Sequence, residues 1–183
     1  MSRRSLERSA LSGLQTGVLG GLAMLVFVFV HSVLRGQHWW SYANLLGSAV
    51  YGASGLWRGF GRATFAGIAI QVLLTGILGV LFGVCFARTR GRMVSLVLGL
   101  SAGLMWFAAT HWFLFKAIAP LVPVYASQPA TLLGHMILGL VLSRTSLLYL
   151  DWPPGWRMLA ESGIPDACHE SGPGEIVPRH RLE

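Results

Sequence analysis

The sequence predicts an all-α integral membrane protein: a four-helix transmembrane bundle with a short interfacial helix between helices 1 and 2. Three observations predict it. Of the 183 residues, 54% are hydrophobic and 11% charged, whereas a soluble domain carries about a quarter charged residues. Several apolar runs reach the roughly 20 helical residues needed to cross hydrocarbon. The basic residues stand in short clusters beside those runs, as juxtamembrane arginines do. The length suits one bundle rather than two domains.

In chain order, residues 1–13 form a basic N-terminus, and four spans follow near 14–34, 63–87, 93–115 and 130–150. At about 1.5 Å per residue each covers a core of ~30 Å. The first span continues through His31-Ser-Val-Leu-Arg35 without a small-residue cleavage site, so it reads as an uncleaved membrane helix rather than a signal peptide. Segment 37–57 is too short and too rich in Trp and Tyr for a crossing. Trp39, Trp40, Tyr42, Tyr51 and Trp57 suit a membrane–water interface. It reads as a short helix lying on the outer surface or dipping in beside the bundle, with a fifth crossing as the alternative. Pro120, Pro123 and Pro129 break the connection between the last two spans, and Trp152-Pro-Pro-Gly155 ends the fourth. The tail, 151–183, is polar, rich in Pro and Gly, and expected to be partly disordered.

The arginines set the expected orientation. Four crossings put the N-terminal cluster, the 88–92 cluster, Arg144 and the tail on one side, ten basic residues against four. The positive-inside rule makes that side cytoplasmic, with both termini there, in a bacterial cytoplasmic membrane. Glycines at four-residue spacing (Gly13, Gly17 and Gly21; Gly79 and Gly83; Gly99 and Gly103) suit close helix packing, within one bundle or in a homo-oligomer.

Composition also excludes. The net charge of +7 sits in short clusters beside the apolar runs, with no separate basic domain for nucleic acid. Between Arg8 and Asp151 there is no Asp or Glu. That rules out a di-iron carboxylate centre inside the bundle, an Asp/Glu proton relay and a two-carboxylate hydrolase. Cys85 and Cys168 make no disulfide framework. No glycine loop with a following lysine, HExxH or GxSxG is present, which points away from an enzyme.

Ionisable groups inside a membrane are expensive and mark candidate sites. His31, His111 and His135, with Gln71, fall in the half of the spans away from the arginine clusters. At helical spacing His31 shares a face with Phe27, Met24, Gly20 and Gly17; His135 with Thr131, Gly139 and Ser146; Gln71 with Thr64, Gly67 and Thr75. His111 falls on a face of large residues, Phe107, Leu104 and Leu100. Two imidazoles from facing helices are the axial set of haem b, and three can hold copper or zinc. Arg35, Arg58 and Arg62, with Gln71, form a candidate polar or anionic pocket, since guanidinium forks suit carboxylates and phosphates.

Three functions fit these features. The chain reads first as a small non-enzymatic membrane protein, an accessory or structural subunit partnered by the bilayer and another membrane protein. The second reading is a haem b or metal redox protein using the three histidines. The third is a small transporter or a lipid- or quinone-binding protein.

Overall fold

The computed structural model describes residues 3–57, 59–89 and 91–150. Arg58, Arg90 and the whole tail, with its expected disorder, lie outside the described residues. Among those described, every element is helical, and four helices are long and apolar enough to cross a membrane: Ser5–Leu34, Arg62–Phe86, Arg92–Ile118 and Gln128–Tyr149.

The first helix, α1 (Arg3–Leu34), begins about a dozen residues before its apolar run. Hydroxyls make that extension possible. Ser9 donates to the Ser5 carbonyl, Ser12 to that of Ser9 and Thr16 to that of Ser12, so each is satisfied within the helix. Their small size also leaves the face flat. After a turn at Gly36, whose φ of 71° only glycine adopts easily, come α2 (Ser41–Tyr51) and α3 (Arg62–Phe86). The backbone N–H of Gly61 bonds Thr64 Oγ1 and starts α3.

α2 is 11 residues long, about 16 Å at helical rise, and cannot cross. It does not lie flat on a surface either. Residues 42–48 are buried, and Gly47 abuts the Ala63 carbonyl while Gly67 abuts that of Ala43. It therefore runs antiparallel beside the first turns of α3. Tyr42 is buried in a core cluster with Met24, Leu46 and Phe115. Asn44 Oδ1 accepts a 2.6 Å bond from Thr64, which fixes α2 on α3.

The connection between the third and fourth spans is more ordered than its prolines predict. Pro123 lies in the first turn of α6 (Val122–Tyr125) and Pro129 in the first turn of α7 (Gln128–Leu142). At those positions proline starts a helix rather than breaking one, because the N–H it lacks would have no partner there. α4 (Arg92–Ala109) and α5 (Phe115–Ile118) flank a π turn, Thr110–Leu114, and α8 (Thr145–Leu150) closes the described chain.

α1 is the hub. Gly13 and Gly17 meet Gly79 and Gly83 of α3 backbone to backbone, and Gly21 packs on Thr75. The other side of α1 takes α7, with Gly20 against Leu138 and Val141. α4 packs on α7, where Gly99 and Gly103 meet Gly139 and the His135 carbonyl. The glycine motifs are thus used inside the chain. α3 reaches α4 and α7 through side chains, Leu78 and Phe82 joining Leu138, Leu142 and Trp106.

Polarity is inverted relative to a water-soluble fold. Thr16, Thr75, Thr110 and Thr145 are at most 2% exposed, whereas Leu73 is 63% and Met105 72% exposed. Thr16 and Thr145 bond each other at 2.7 Å across α1 and α8. Replacing Gly79 by Leu drives a side chain into the Gly13 carbonyl and the Gly17 backbone. We expect a stability loss of about 3 kcal/mol, read as a lowered unfolding midpoint in detergent, while Leu73→Ala on the outer face of the same helix changes little.

Candidate functional site

The antiparallel hairpins give the bundle two ends. One carries the α1–α2 turn, the start of α3 and α5–α6 (the α2 end). The other carries the α3–α4 connection and the α7–α8 turn (the α8 end).

At the α2 end, α1, α2, α6 and the start of α7 enclose a cleft of about 370 Å³. Its polar wall is made by His31 near the end of α1, Arg35 and Gln37 of the following turn, Ser41 at the start of α2, Ser127 just before α7 and Thr131 in it; Val28, Leu45 and Trp57 give it apolar surface. The sequence puts these groups together because Gly36 folds the chain back on itself. Phe29 and Trp39 make an edge contact at 5.4 Å, and Trp39 continues to Phe60 at 5.2 Å, pinning the turn to α1 and to the start of α3. Ser32 and Thr131 spend their hydroxyl protons on the Val28 and Ser127 carbonyls. Arg35, His31, Gln37 and Ser41 supply the remaining donors. Tyr42 also lines the cleft; its phenol oxygen is buried with no hydrogen-bond partner among the described residues, and burial pushes its pKa well above the ordinary tyrosine value.

Of the expected pocket residues, only Arg35 is here. Gln71 lies in the core, where its amide donates to Met24 Sδ at 3.3 Å. Its predicted face does hold: Thr64, Gly67, Gln71 and Thr75 are all buried. Arg62 is exposed at the start of α3 and lines no part of the cleft. Arg58 lies outside the described residues.

The histidines divide between two places. His31 faces the cleft. His135 is buried on α7, its Nδ1 donating to the Thr131 carbonyl at 2.7 Å. Because a carbonyl only accepts, Nδ1 carries the proton. His111 stacks on Phe107 with ring centroids 5.2 Å apart, and Phe107 also meets His135 edge-on at 5.4 Å. The Gln128 amide nitrogen lies 3.4 Å from His111 Nε2. No three His, Cys, Asp or Glu among the described residues stand close enough to hold a metal ion. A haem needs a slot of porphyrin width with an imidazole on each face. Here Phe107 packs on both buried imidazoles, while His31 lines the α2-end cleft.

The π turn explains His111. At 100° per residue, Phe115 on an unbroken α-helix would lie about 120° from Gly103. The extra residue of the π turn takes back about 100°, so Gly103, Thr110, Phe115 and Ala119 all face inward and are buried. His111, at the change of register, goes in with them. Large residues at 107, 111 and 115 carry no sequence signal for a π turn, so an α-helical period misplaces the end of this span.

Compared with known proteins, the chain matches no family model, no curated protein and no solved structure. Among the described residues, the fold is an all-helical one with four helices of membrane-crossing length and apolarity.

Deleting Phe113, a 74% exposed residue of the π turn, removes the extra residue and turns Phe115 and Ala119 out of the core. The expected loss is ~3 kcal/mol or more, against about 0.5 kcal/mol for Phe113→Ala; unfolding of both variants in detergent separates them.

Proposed function

We propose that this chain is a multi-pass integral membrane protein of non-enzymatic type, and that its α2-end cleft binds the polar head of an anionic amphiphile. The membrane part rests on the inverted polarity: Thr16, Thr64, Thr75, Thr110, Thr145, His111 and His135 are buried, while many leucines, valines, phenylalanines and methionines stand exposed. In water that exterior would aggregate; in lipid it is the favoured surface. The basic residues then make the α8 end cytoplasmic and the α2 end external.

The observation that carries the ligand is the composition of the cleft wall. A guanidinium, an imidazole, an amide and a hydroxyl converge beside apolar side chains, the mixture that orients a ligand by a few polar groups. Glu7 is the one acid among the described residues, so Arg35 has no carboxylate of the described chain to neutralise it. This favours a lipid-binding role over the accessory-subunit reading, for which no complementary surface is identified. The haem and metal readings find less support: no three metal donors stand together among the described residues, and His31 lines a cleft that neither His111 nor His135 lines.

Two measurements test this. The chain should stay in the membrane pellet after alkaline carbonate washing. Reconstituted in neutral-lipid nanodiscs, it should be stabilised against heat by dodecanoate and not by dodecanol, and Arg35→Gln should weaken the dodecanoate effect about tenfold, the scale of a lost charge-assisted hydrogen bond. Equal stabilisation by acid and alcohol, or an unchanged response in Arg35→Gln, contradicts the proposed ligand.

A further inference from the structure

A second cleft, of about 670 Å³, opens at the α8 end. It is lined by Arg92, the first residue of α4, and by Arg144, in the turn between α7 and α8. These arginines come from segments far apart in sequence, and the packing of α4 on α7 brings them to one cleft. Around them stand Thr89, Ser95, Ser143 and Ser146.

The donor inventory is that of an anion site. Each guanidinium offers five N–H donors and accepts nothing. Ser95 and Ser146 lie 3.3 Å apart, oxygen to oxygen. One hydroxyl of that pair donates to the other and leaves one proton for a ligand. Ser143 spends its proton on the Leu140 carbonyl at 2.6 Å. No acceptor of full negative charge answers these donors within the described chain, because Glu7 is on α1 and lines no part of the cleft. The remaining wall is apolar: Met93, Leu96 and Leu147. Met93 and Leu147 are both exposed on the outer surface of the helices.

We infer that this cleft holds the phosphate of an anionic glycerophospholipid. The phosphate lies between Arg92 and Arg144, takes a hydroxyl donor from the Ser95–Ser146 pair, and its acyl chains leave along Met93, Leu96 and Leu147. Two planar forks suit a phosphate better than single point charges do. The open apolar side distinguishes a lipid phosphate from a soluble one, since free phosphate has nothing to place there. This site is separate from the α2-end cleft and rests only on the membrane reading.

The experiment is native mass spectrometry of the full chain, released from neutral detergent after incubation with phosphatidylglycerol, phosphatidylcholine or inorganic phosphate. The expected result is at least tenfold greater retention of phosphatidylglycerol than of phosphatidylcholine, lost at least tenfold in Arg92→Gln/Arg144→Gln. A charge-matched control, Arg62→Gln/Lys116→Gln, lines neither cleft and should keep the preference. Equal retention of the two lipids, or equal loss in both double variants, overturns the site. Inorganic phosphate that displaces phosphatidylglycerol at equal concentration overturns the lipid assignment. Should the double variant fail to fold, the single variants Arg92→Gln and Arg144→Gln are read against Arg35→Gln at the other cleft: a loss of preference in the first two that exceeds the loss in the third supports the site, and an equal loss in all three overturns it. A chain released by carbonate washing would remove the membrane reading itself; one that stays in the pellet but shows no lipid preference removes only this site.

Discussion

Everything in this fold depends on how closely other helices can approach α1. Its Gly13–Gly17–Gly21 stripe lets the α3 backbone come into direct contact, and Gly20, on a neighbouring stripe, does the same for α7. On the proposed membrane reading, where lipid gives no hydrophobic drive between helices, such contact is what makes association favourable, through dispersion and buried polar bonds. The Thr16–Thr145 bond and the Gln71 amide on Met24 form only because the helices are that close. With α1 occupied on two sides, α4 is left to pack on α7, and α2 on α3.

That arrangement creates both clefts at the ends rather than in the middle. The centre of the bundle is closed by leucines, with Leu138 and Leu142 fully buried. At the α2 end, α2 is too short to fill the space beside α1, and His31, Arg35, Gln37 and Ser41 line the gap. At the α8 end, the turn at Ser143 and Arg144 bends the chain before α8, and the space it leaves faces Arg92. The two clefts share a chemistry, arginine with hydroxyls beside apolar wall. A chain with Glu7 as its only described acid can satisfy those cations only with anions from outside the described residues.

Much of this was legible in the residues. The four long helices follow from length and apolarity, and three both begin and end within a few residues of the expected positions. Glycine spacing marked the packing faces, although not which helix each would meet. The α-helical period put Gln71 and His135 inside, as found. It failed for the end of the third span because a π turn shifts the register by a residue, and hydropathy cannot see a change that alters only rotation. It also failed for the start of α1: Ser9 and Ser12 look polar, but intrahelical bonds hide their hydroxyls. The site was half legible. His31 was recognisable as a costly intramembrane residue and Arg35 as a candidate anion-binding group, whereas Gln37, Ser41 and Ser127 join them only through the fold. Arg92 and Arg144 read as ordinary flanking arginines, since nothing in a linear sequence brings them to one cleft.

We propose an inverted-polarity bundle that crosses a membrane four times, with α2 not crossing and the two clefts on opposite faces. The most direct test is labelling of single cysteines by a membrane-impermeant maleimide, with Cys85 and Cys168 replaced by Ser. The account predicts that Gln37→Cys and Ser127→Cys react from one side of sealed vesicles, and that Thr89→Cys reacts only when the other side is opened. Labelling of Gln37→Cys and Thr89→Cys from the same side would contradict it.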